Sequence, residues 1–562
     1  MTAVLAPEAA TSHAPRAPRW RRVALAVPLF VPAVVIAVGG WSHRWMDEDA
    51  FINFRIVDQI FAGHGPVFNA GERVEAATSP LWLFILVVGR ALFGAFASIE
   101  WIALVAGLAA AIGAFVVAGS AAKIQHRGTD GVVFPVGLLL VAAVAVMWDF
   151  STSGLEMSLV WLWLAGSWWA LMTAARSDEI DGRRRLGCCV VLGLAPLVRP
   201  ELTFMLVCLL VAWFGLARPR RVVFDLVAIL ALPVAYEIFR MGYYAMVVPN
   251  TALAKDAGGL HLSQGWAYLA NFVTPYHLWV TAVLVLAVVV LAHRMRPDRR
   301  VAVATTAMLA AAVVDVAYIV AIGGDYMHGR LLLPAFFAFG LPASLVIRRD
   351  TAIAVTVTAL AVVWALVSVV WFRPQPPVPG IGLGPAPISD WRTVSGATMK
   401  PVDLALGLNG TQAAAAYARG VRGYFRITDK TPRPGRDPDA FVLTLGSIGV
   451  PAYDAGTHVF VIDIGGLAEP LAARTAPIPG RQAGHRKQID FAWYDARFGG
   501  PSTNPQVLAA RRALTCGPGA ELIQAVDGKL TPGRFLSNIW HSVSLTRLHV
   551  PSDPTVAERE WC

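Results

Sequence analysis

Between residues 23 and 372 the chain alternates long apolar runs with short clusters of arginine, and that alternation admits few folds. After Val23–Gly39 the runs fall at roughly 81–97, 101–122, 132–148, 155–174, 186–198, 201–217, 222–240, 278–293, 302–321, 331–347 and 352–371. A helix needs about 17–25 such residues to cross a bilayer. In lipid the backbone must satisfy its own polar groups, which a helix does and an open loop does not. Some runs are short. Taking 81–122 as one span plus a bent or re-entrant piece gives about eleven crossings.

Composition agrees: 56% of the 562 residues are hydrophobic and only 15% charged, which excludes an ordinary soluble fold. A formal net charge of +10 would suit a nucleic-acid partner if the cations shared one face. Instead they sit between apolar runs. Lys123/Arg127, Arg183/Arg184/Arg185, Arg218/Arg220/Arg221, Arg294/Arg296/Arg299/Arg300 and Arg348/Arg349 occupy alternate connections, as the positive-inside rule requires of cytoplasmic loops. The remaining connections then face outward: Gly40–Ser79, Asp149–Glu156, Arg199–Glu201, Phe239–Pro275, Gly323–Arg330 and everything after Phe372.

Arg16, Arg19, Arg21 and Arg22 precede the first run, which ends without a small-residue cleavage pattern and enters a stretch with Trp41 and Trp45. This predicts an uncleaved first span in a multi-pass cell-membrane protein. Residues 1–22 form a cytoplasmic tail, and its Ala, Pro and Thr content through Pro18 predicts disorder. Residues 23–372 form the transmembrane domain, with a large outer loop at 40–79. From Arg373 the sequence PQPPVPGIGLGPAP marks a linker into an extracytoplasmic domain, 373–562. There FVLTLGSIGVP and HVFVIDIGGLA read as apolar strands, giving a mixed α/β or β-rich unit. Cys188, Cys189 and Cys208 lie in spans, whereas Cys516 and Cys562 lie where disulfides form, which predicts a Cys516–Cys562 bridge, two free thiols being the plainer alternative.

Ionisable groups at membrane depth are costly and tend to line a cavity or substrate path. The outward connections hold Asp47, Glu48, Asp49, Arg55, Glu72, Arg73, Glu75, Glu156, Arg199, Glu201, Lys255, Asp325, His328 and Arg330, so charges from distant parts of the chain can share one pocket. Transfer from a lipid phosphate to a hydroxyl needs a carboxylate base and cations for the departing phosphate. Asp49, with Glu48 and Asp47, opens the stretch DAFINFRIVDQIFAGHG. On a helix Asp49 and Asn53 align, with Ile56 and Ile60 continuing that face, so a partly desolvated carboxylate would emerge from an apolar stripe. The plainer reading is that the three acids cap that helix.

Arg199, Lys255 and Arg330 are the candidate phosphate-binding cations, with His328 as an assisting acid or phosphate ligand. The plainer readings are a snorkelling Arg199–Glu201 pair, a solvated Lys255 and a structural His328. Glu75, Glu156, Glu201, Tyr243 and Asp325 complete the substrate-facing set. The sequence has no Walker loop and no Gly-x-Gly-x-x-Gly opening a helix, which disfavours nucleotide-sugar and ATP chemistry. Metal-ligand spacing is absent too, although Asp47 and Asp49 could hold a divalent ion weakly.

In RWMDEDAFINFR, GHGPVFNAGERVEAATS, DFSTSGLE, LVRPE, AYEIFRMGYYAMVVPNTALAKDA, GGDYMHGRLLLP, VIDIGGLAEPLAARTAPI, GRQAGHRK and GRFLSNIWHS the sequence resembles the integral membrane arabinofuranosyltransferases of the actinobacterial cell wall. The type it resembles adds terminal β-1,2-linked arabinofuranose. The resemblance implies a GT-C type fold, decaprenyl-phospho-arabinofuranose as donor and no other cofactor. It further implies a non-reducing arabinan end as acceptor, a loop-one acid at the reaction centre and an outer domain that contacts polysaccharide. Where the family shows two aspartates, this chain has Glu48 and Asp49, preceded by Asp47. Three other readings stand beside it: a transferase of the same architecture for mannose or aminoarabinose; a transporter of the lipid-linked sugar, whose inverted repeats and charges on both sides of the midplane are not seen in the sequence; and a non-catalytic polysaccharide binder stacking sugars on Trp371, Trp391, Trp493 and Trp540, residues more often core or interfacial.

Overall fold

Apolar length and proline placement decide which runs become crossing helices and which break. The computed structural model describes residues 19–177, 179–217, 221–348, 351–372, 388–390, 392, 426–428, 442–445, 448–481 and 483–562. Its first elements are α1 (Arg19–Ser42), α2 (Ala50–Phe61), α3 (Pro80–Phe93), α4 (Ile99–Gln125), β1 (Val132–Phe134), α5 (Val136–Ala142), α6 (Ala145–Phe150), α7 (Met157–Arg176), α8 (Gly182–Gly193), α9 (Ala195–Val198) and α10 (Leu202–Leu216). They are followed by α11 (Val222–Tyr244), α12 (Asn250–Ala254), α13 (Leu262–Val273), α14 (Leu278–Met295), α15 (Arg299–Ile322), α16 (Leu333–Gly340), β2 (Leu345–Ile347) and α17 (Ala352–Trp371).

Among the described residues six helices, α4, α7, α11, α14, α15 and α17, are long and apolar enough to cross a membrane. Shorter apolar helices occupy 27–42, 80–93, 202–216 and 330–340. The 81–122 run divides into the 14-residue α3 and the 27-residue α4, a short piece beside a full crossing. The 186–198 run divides at Leu194 into α8 and α9, and two further runs expected as spans, 132–148 and 331–347, are not continuous helices. Pro135 precedes α5, and Pro334 and Pro342 bracket α16, so each run breaks into strand and short helix. Their strands pair antiparallel, Val132 opposite Ile347 and Phe134 opposite Leu345. Gly137 donates to the Ala343 carbonyl at 2.8 Å, and a Cβ at Gly137 would lie 2.1 Å from the Gly340 carbonyl oxygen, so the two backbones meet only without side chains. α5 and α6 are buried throughout and α16 nearly so. Irregular backbone of this kind is tolerated at membrane depth where protein surrounds it. At the centre α7 packs against α4, α8, α10, α15 and α16, with Trp161 and Trp168 fully buried.

Arg16, Arg218, Arg220, Arg349, the linker from Arg373 and Trp391 lie outside the described residues. The C-terminal unit contains β3 (Arg426–Thr428), β4 (Val442–Leu445), α18 (Val450–Ala455), β5 (Phe460–Asp463), α19 (Phe491–Phe498), α20 (Pro505–Ala513), α21 (Gly517–Asp527), α22 (Pro532–Arg547) and α23 (Pro554–Trp561). β4 lies between β3, antiparallel to it, and β5, parallel to it. Among its described residues helix outweighs strand, which fits the mixed α/β expectation better than the β-rich one. Its core gathers Ile462, Leu471, Trp493, Phe498, Leu522, Val526 and Leu545, and Cys516 is disulfide-bonded to Cys562 with Cα atoms 5.2 Å apart. Trp493 is spent in that core; Trp540, by contrast, is 84% exposed.

Polar groups of the first large loop dock this unit. Buried Arg55 donates to the carbonyls of Ala452, Gly456 and Val459 at 2.5, 2.8 and 2.6 Å. Arg73 donates to the Ala525 carbonyl at 2.7 Å. Arg497 meets Glu72 and Glu469 at 2.6 Å each and Asp527 at 3.2 Å. Arg55, Glu72 and Arg73, expected in a shared pocket, therefore serve as a joint. Arg497→Ala would strand three carboxylates around a buried void, and breaking a buried pair from one side costs about 3–5 kcal/mol. We expect a clear fall in Tm for the detergent-solubilised variant, with Arg497→Lys intermediate; an unchanged melting curve contradicts this role.

Candidate active site

Residues 43–49 cross from α1 to α2 beneath the connection 151–156. Trp45 Nε1 donates to the Asp149 carbonyl at 2.7 Å and the Asp47 amide to the Ser153 carbonyl at 2.9 Å. Gly154, at φ +78°, takes the left-handed turn, and a Cβ there would lie 2.2 Å from Met46 Sδ. DFSTSGLE thus fixes the backbone of the acidic turn.

Its three carboxylates are separated by this geometry. Asp47, fully buried, accepts the Asp49 amide at 2.8 Å, which is the capping function anticipated for the trio. Glu48 accepts the Gly449 amide at 2.6 Å, tying the turn to the C-terminal unit. Asp49 makes no cap bond. Its side chain, 17% exposed, lies 3.5 Å from Arg330 Nη1 and accepts the Tyr326 hydroxyl at 3.1 Å. Burial and the neighbouring Asp49 charge push the Asp47 carboxyl well above the usual carboxylate range. For Asp49 burial acts upward as well, but Lys255, Arg330 and His485, with the Tyr326 bond, outweigh it and hold the carboxyl below its ordinary value. The two carboxyls are thereby pushed in opposite directions, a division typical of acid and base sites.

The connection 323–330 supplies the opposite wall. Arg330 is held by Asp325 through Nε and Nη2, each at 2.6 Å, and the segment 388–390 covers this turn, the Ser389 amide donating to the Tyr326 carbonyl at 3.0 Å. Asp325 leaves Arg330 one edge for Asp49, so Arg330 orients the carboxylate. Arg199 is clamped between Glu156 and Glu201. Lys255, just beyond α12, forms no ion pair among the described residues while its charge reaches Asp49; it is the cation most available to a phosphate.

Other expected members lie elsewhere. Both nitrogens of His328 are engaged, by Asn271 at 2.7 Å and Tyr276 at 3.1 Å, and burial pulls its imidazole down to about 4, so it stays neutral. This is the structural histidine, not a phosphate ligand. Glu75 pairs with Arg240 at 2.7 Å and accepts the Tyr236 hydroxyl at 2.6 Å, and Tyr243 stacks on Phe239. Both sit outside the acidic cluster. No group of three or more metal-ligating side chains converges among the described residues.

Three residues were not singled out from sequence. Tyr326 and His485 lie inside matched stretches, GGDYMHGR and GRQAGHRK; the His485 ring meets Tyr326 at 4.9 Å and is exposed toward the site. Asp315 was legible as a lone acid within the 302–321 run and is buried in electrostatic range of Glu201 and Arg199.

Two cavities share Leu262 as a common wall. One, about 690 Å³, runs between α13, α14, α15 and α16 and is lined by apolar groups including Trp266, Phe272, Ala317 and Leu332. The other, about 600 Å³, lies between 260–264 and 477–481 and carries His261, Ser263, Gln264, Arg481 and Arg486.

The AftB family C-terminal domain matches residues 426–560. The chain is 32% identical to the terminal β-(1→2)-arabinofuranosyltransferase of Mycobacterium tuberculosis, over 95% of this chain and 96% of that relative. The chain belongs to this family. The enzyme of the same description from Corynebacterium glutamicum is 30% identical over 99% of this chain and 91% of its own length. No solved structure matches. As a member of the terminal arabinofuranosyltransferase family the chain is a glycosyltransferase.

In this family member Lys255 is the charge that does most to hold the Asp49 carboxyl below its ordinary value. Removing a cation raises a neighbouring carboxyl pKa. Lys255→Gln should therefore move the acid limb of the pH–rate profile to higher pH and raise KM for the donor. An unshifted limb would remove Lys255 from the site.

Proposed function

We propose that the chain transfers arabinofuranose from decaprenyl-phospho-arabinofuranose to non-reducing ends of cell-wall arabinan, in arabinogalactan or lipoarabinomannan. It does so at the outer face of the cell membrane, within a GT-C type fold and with no resident cofactor. The observation that supports this reading best is a carboxylate, Asp49, held below its ordinary pKa within reach of the charge of Lys255, a cation with no ion-pair partner among the described residues; the protein also carries an apolar and a polar cavity that share Leu262. A polyprenyl chain suits the apolar cavity and a polysaccharide end the polar one.

In the reaction the acceptor hydroxyl oxygen bonds to the anomeric carbon, the bond from that carbon to the phosphate oxygen breaks, and the hydroxyl proton passes to Asp49. The polyprenyl phosphate leaves with the bonding pair, its charge facing Lys255. Arg330 and Tyr326 fix the direction of the Asp49 carboxylate, and His485 closes the acceptor side. A donor that is already β-configured and yields a β-linked product demands two successive displacements, with Asp49 attacking first.

General-base catalysis is worth about 10²–10⁴-fold in rate. With labelled decaprenyl donor and an arabino-oligosaccharide acceptor, Asp49→Asn should lose at least that much kcat while Tm is kept, and normal turnover would refute the assignment. A bulky ring in the apolar cavity, Ala317→Trp, should raise KM for the decaprenyl donor and leave a short-chain prenyl donor unaffected. Equal effects on both donors would detach the cavity from the lipid.

A further inference from the structure

At the end of the helix bundle opposite Asp49, two further cavities of about 370 and 360 Å³ adjoin through His126, Ala292 and Arg296. α7 measures the separation: it begins just after Glu156, which meets Arg199, and ends at Arg176, a length of 20 residues or about 30 Å. The cavities lie where α4 and α14 end and α15 and β2 begin.

Their charges are unbalanced. Arg176, Arg294, Arg296 and Arg348 line them against one acid, Asp298, and that acid is matched to Arg176 at 2.5 Å. The other guanidiniums meet neutral partners. Arg296 donates to the Arg127 carbonyl at 3.0 Å and to Thr129, and Arg348 to the Asp130 carbonyl at 2.7 Å. Arg294 stands exposed on the last turn of α14 and makes no ion pair among the described residues. Carbonyls orient these groups without cancelling their charge, and guanidinium forks held in this way suit phosphate oxygens.

The larger cavity also has a second character. Val289 and Val290 of α14 and Val301, Ala302 and Leu309 of α15 form an apolar wall running from the basic mouth into the bundle. Orientation by the positive-inside rule needs cations in the connections but no cavity between them. A basic mouth joined to an apolar wall at a helix-bundle end matches a lipid with an anionic headgroup, a known use of such pockets. A soluble polyanion would have no use for the wall.

We infer that this end of the bundle is a binding site for an anionic phospholipid, its phosphate held by Arg294, Arg296 and Arg348 and one acyl chain lying along the α14–α15 wall. The site is separate from the proposed transfer centre. The full-length protein in neutral detergent, titrated with phosphatidylglycerol, should show a rising Tm and a retained lipid by native mass spectrometry, whereas phosphatidylcholine and inorganic phosphate should give neither. The triple variant Arg294→Gln, Arg296→Gln, Arg348→Gln should need at least tenfold more phosphatidylglycerol. A control losing the same charge from exposed sites, Arg183→Gln, Arg221→Gln, Arg299→Gln, should respond as the unaltered protein does. Should the triple variant not fold, Arg294→Gln alone, at an exposed position, should weaken the response several-fold. Equal responses from the triple variant and the control, an unchanged response from Arg294→Gln, or a Tm shift with inorganic phosphate alone would overturn the lipid site.

Discussion

Two buried guanidiniums hold the molecule in the form that makes a site possible. Arg55 anchors α2 to three carbonyls of the C-terminal unit, and Arg497 reaches back from that unit to Glu72. A buried arginine without partners is strongly unfavourable, so each locks the two parts at one relative position. Asn250 adds a third tie, donating to the Gly466 carbonyl at 2.8 Å. With the joint closed, Gly449 meets Glu48 and His485 meets Tyr326. The acidic turn is therefore completed by residues more than 400 positions away in the chain, and its geometry depends on polar docking as much as on apolar packing.

That joint also explains the electrostatics of the turn. Asp47 and Glu48 are both buried, one by the connection above it and one by the C-terminal unit, and each uses a carboxylate oxygen on a backbone amide. Asp49 alone keeps some exposure, with Arg330 3.5 Å away and the charge of Lys255 within reach. Arg330 contributes charge, but its fork is closed on Asp325. Its service is directional, whereas Lys255 supplies mobile charge on a flexible stem. A carboxylate held ionised at a water-accessible edge is what proton transfer or nucleophilic attack requires, and neither neighbouring acid has that combination.

The sequence made the helical crossings legible because length and hydropathy are local properties, and α4, α7, α11, α14, α15 and α17 all fall on apolar runs. Asp49 was legible for a similar reason, as an acid at the head of an apolar helical face. The runs at 132–148 and 331–347 misled because an apolar stretch buried in protein reads like one buried in lipid; the prolines carried the only warning. Sidedness grouped Glu72, Arg73 and Glu75 without naming a partner, and their partners proved to be Arg497, carbonyls of α21 and Arg240. His485 could not be found this way, since nothing in its own segment records its approach to residue 49.

The same logic ranks the cations. Position at outer span ends made Arg199, Lys255 and Arg330 equal candidates for the donor phosphate, yet a guanidinium is the better partner for carboxylates, and both arginines are closed on acids. Lys255, for which a solvated loop lysine was the plainer alternative, is left without an acid partner among the described residues, its charge reaching Asp49. A phosphate leaving group gains most from a charge not already neutralised by a neighbour, because any cation paired in the ground state must weaken that pairing before it can stabilise the new charge. On that physical ground a lysine on a short helix end, bound to no acid among the described residues, is better suited to the departing phosphate than two arginines embedded in ion pairs.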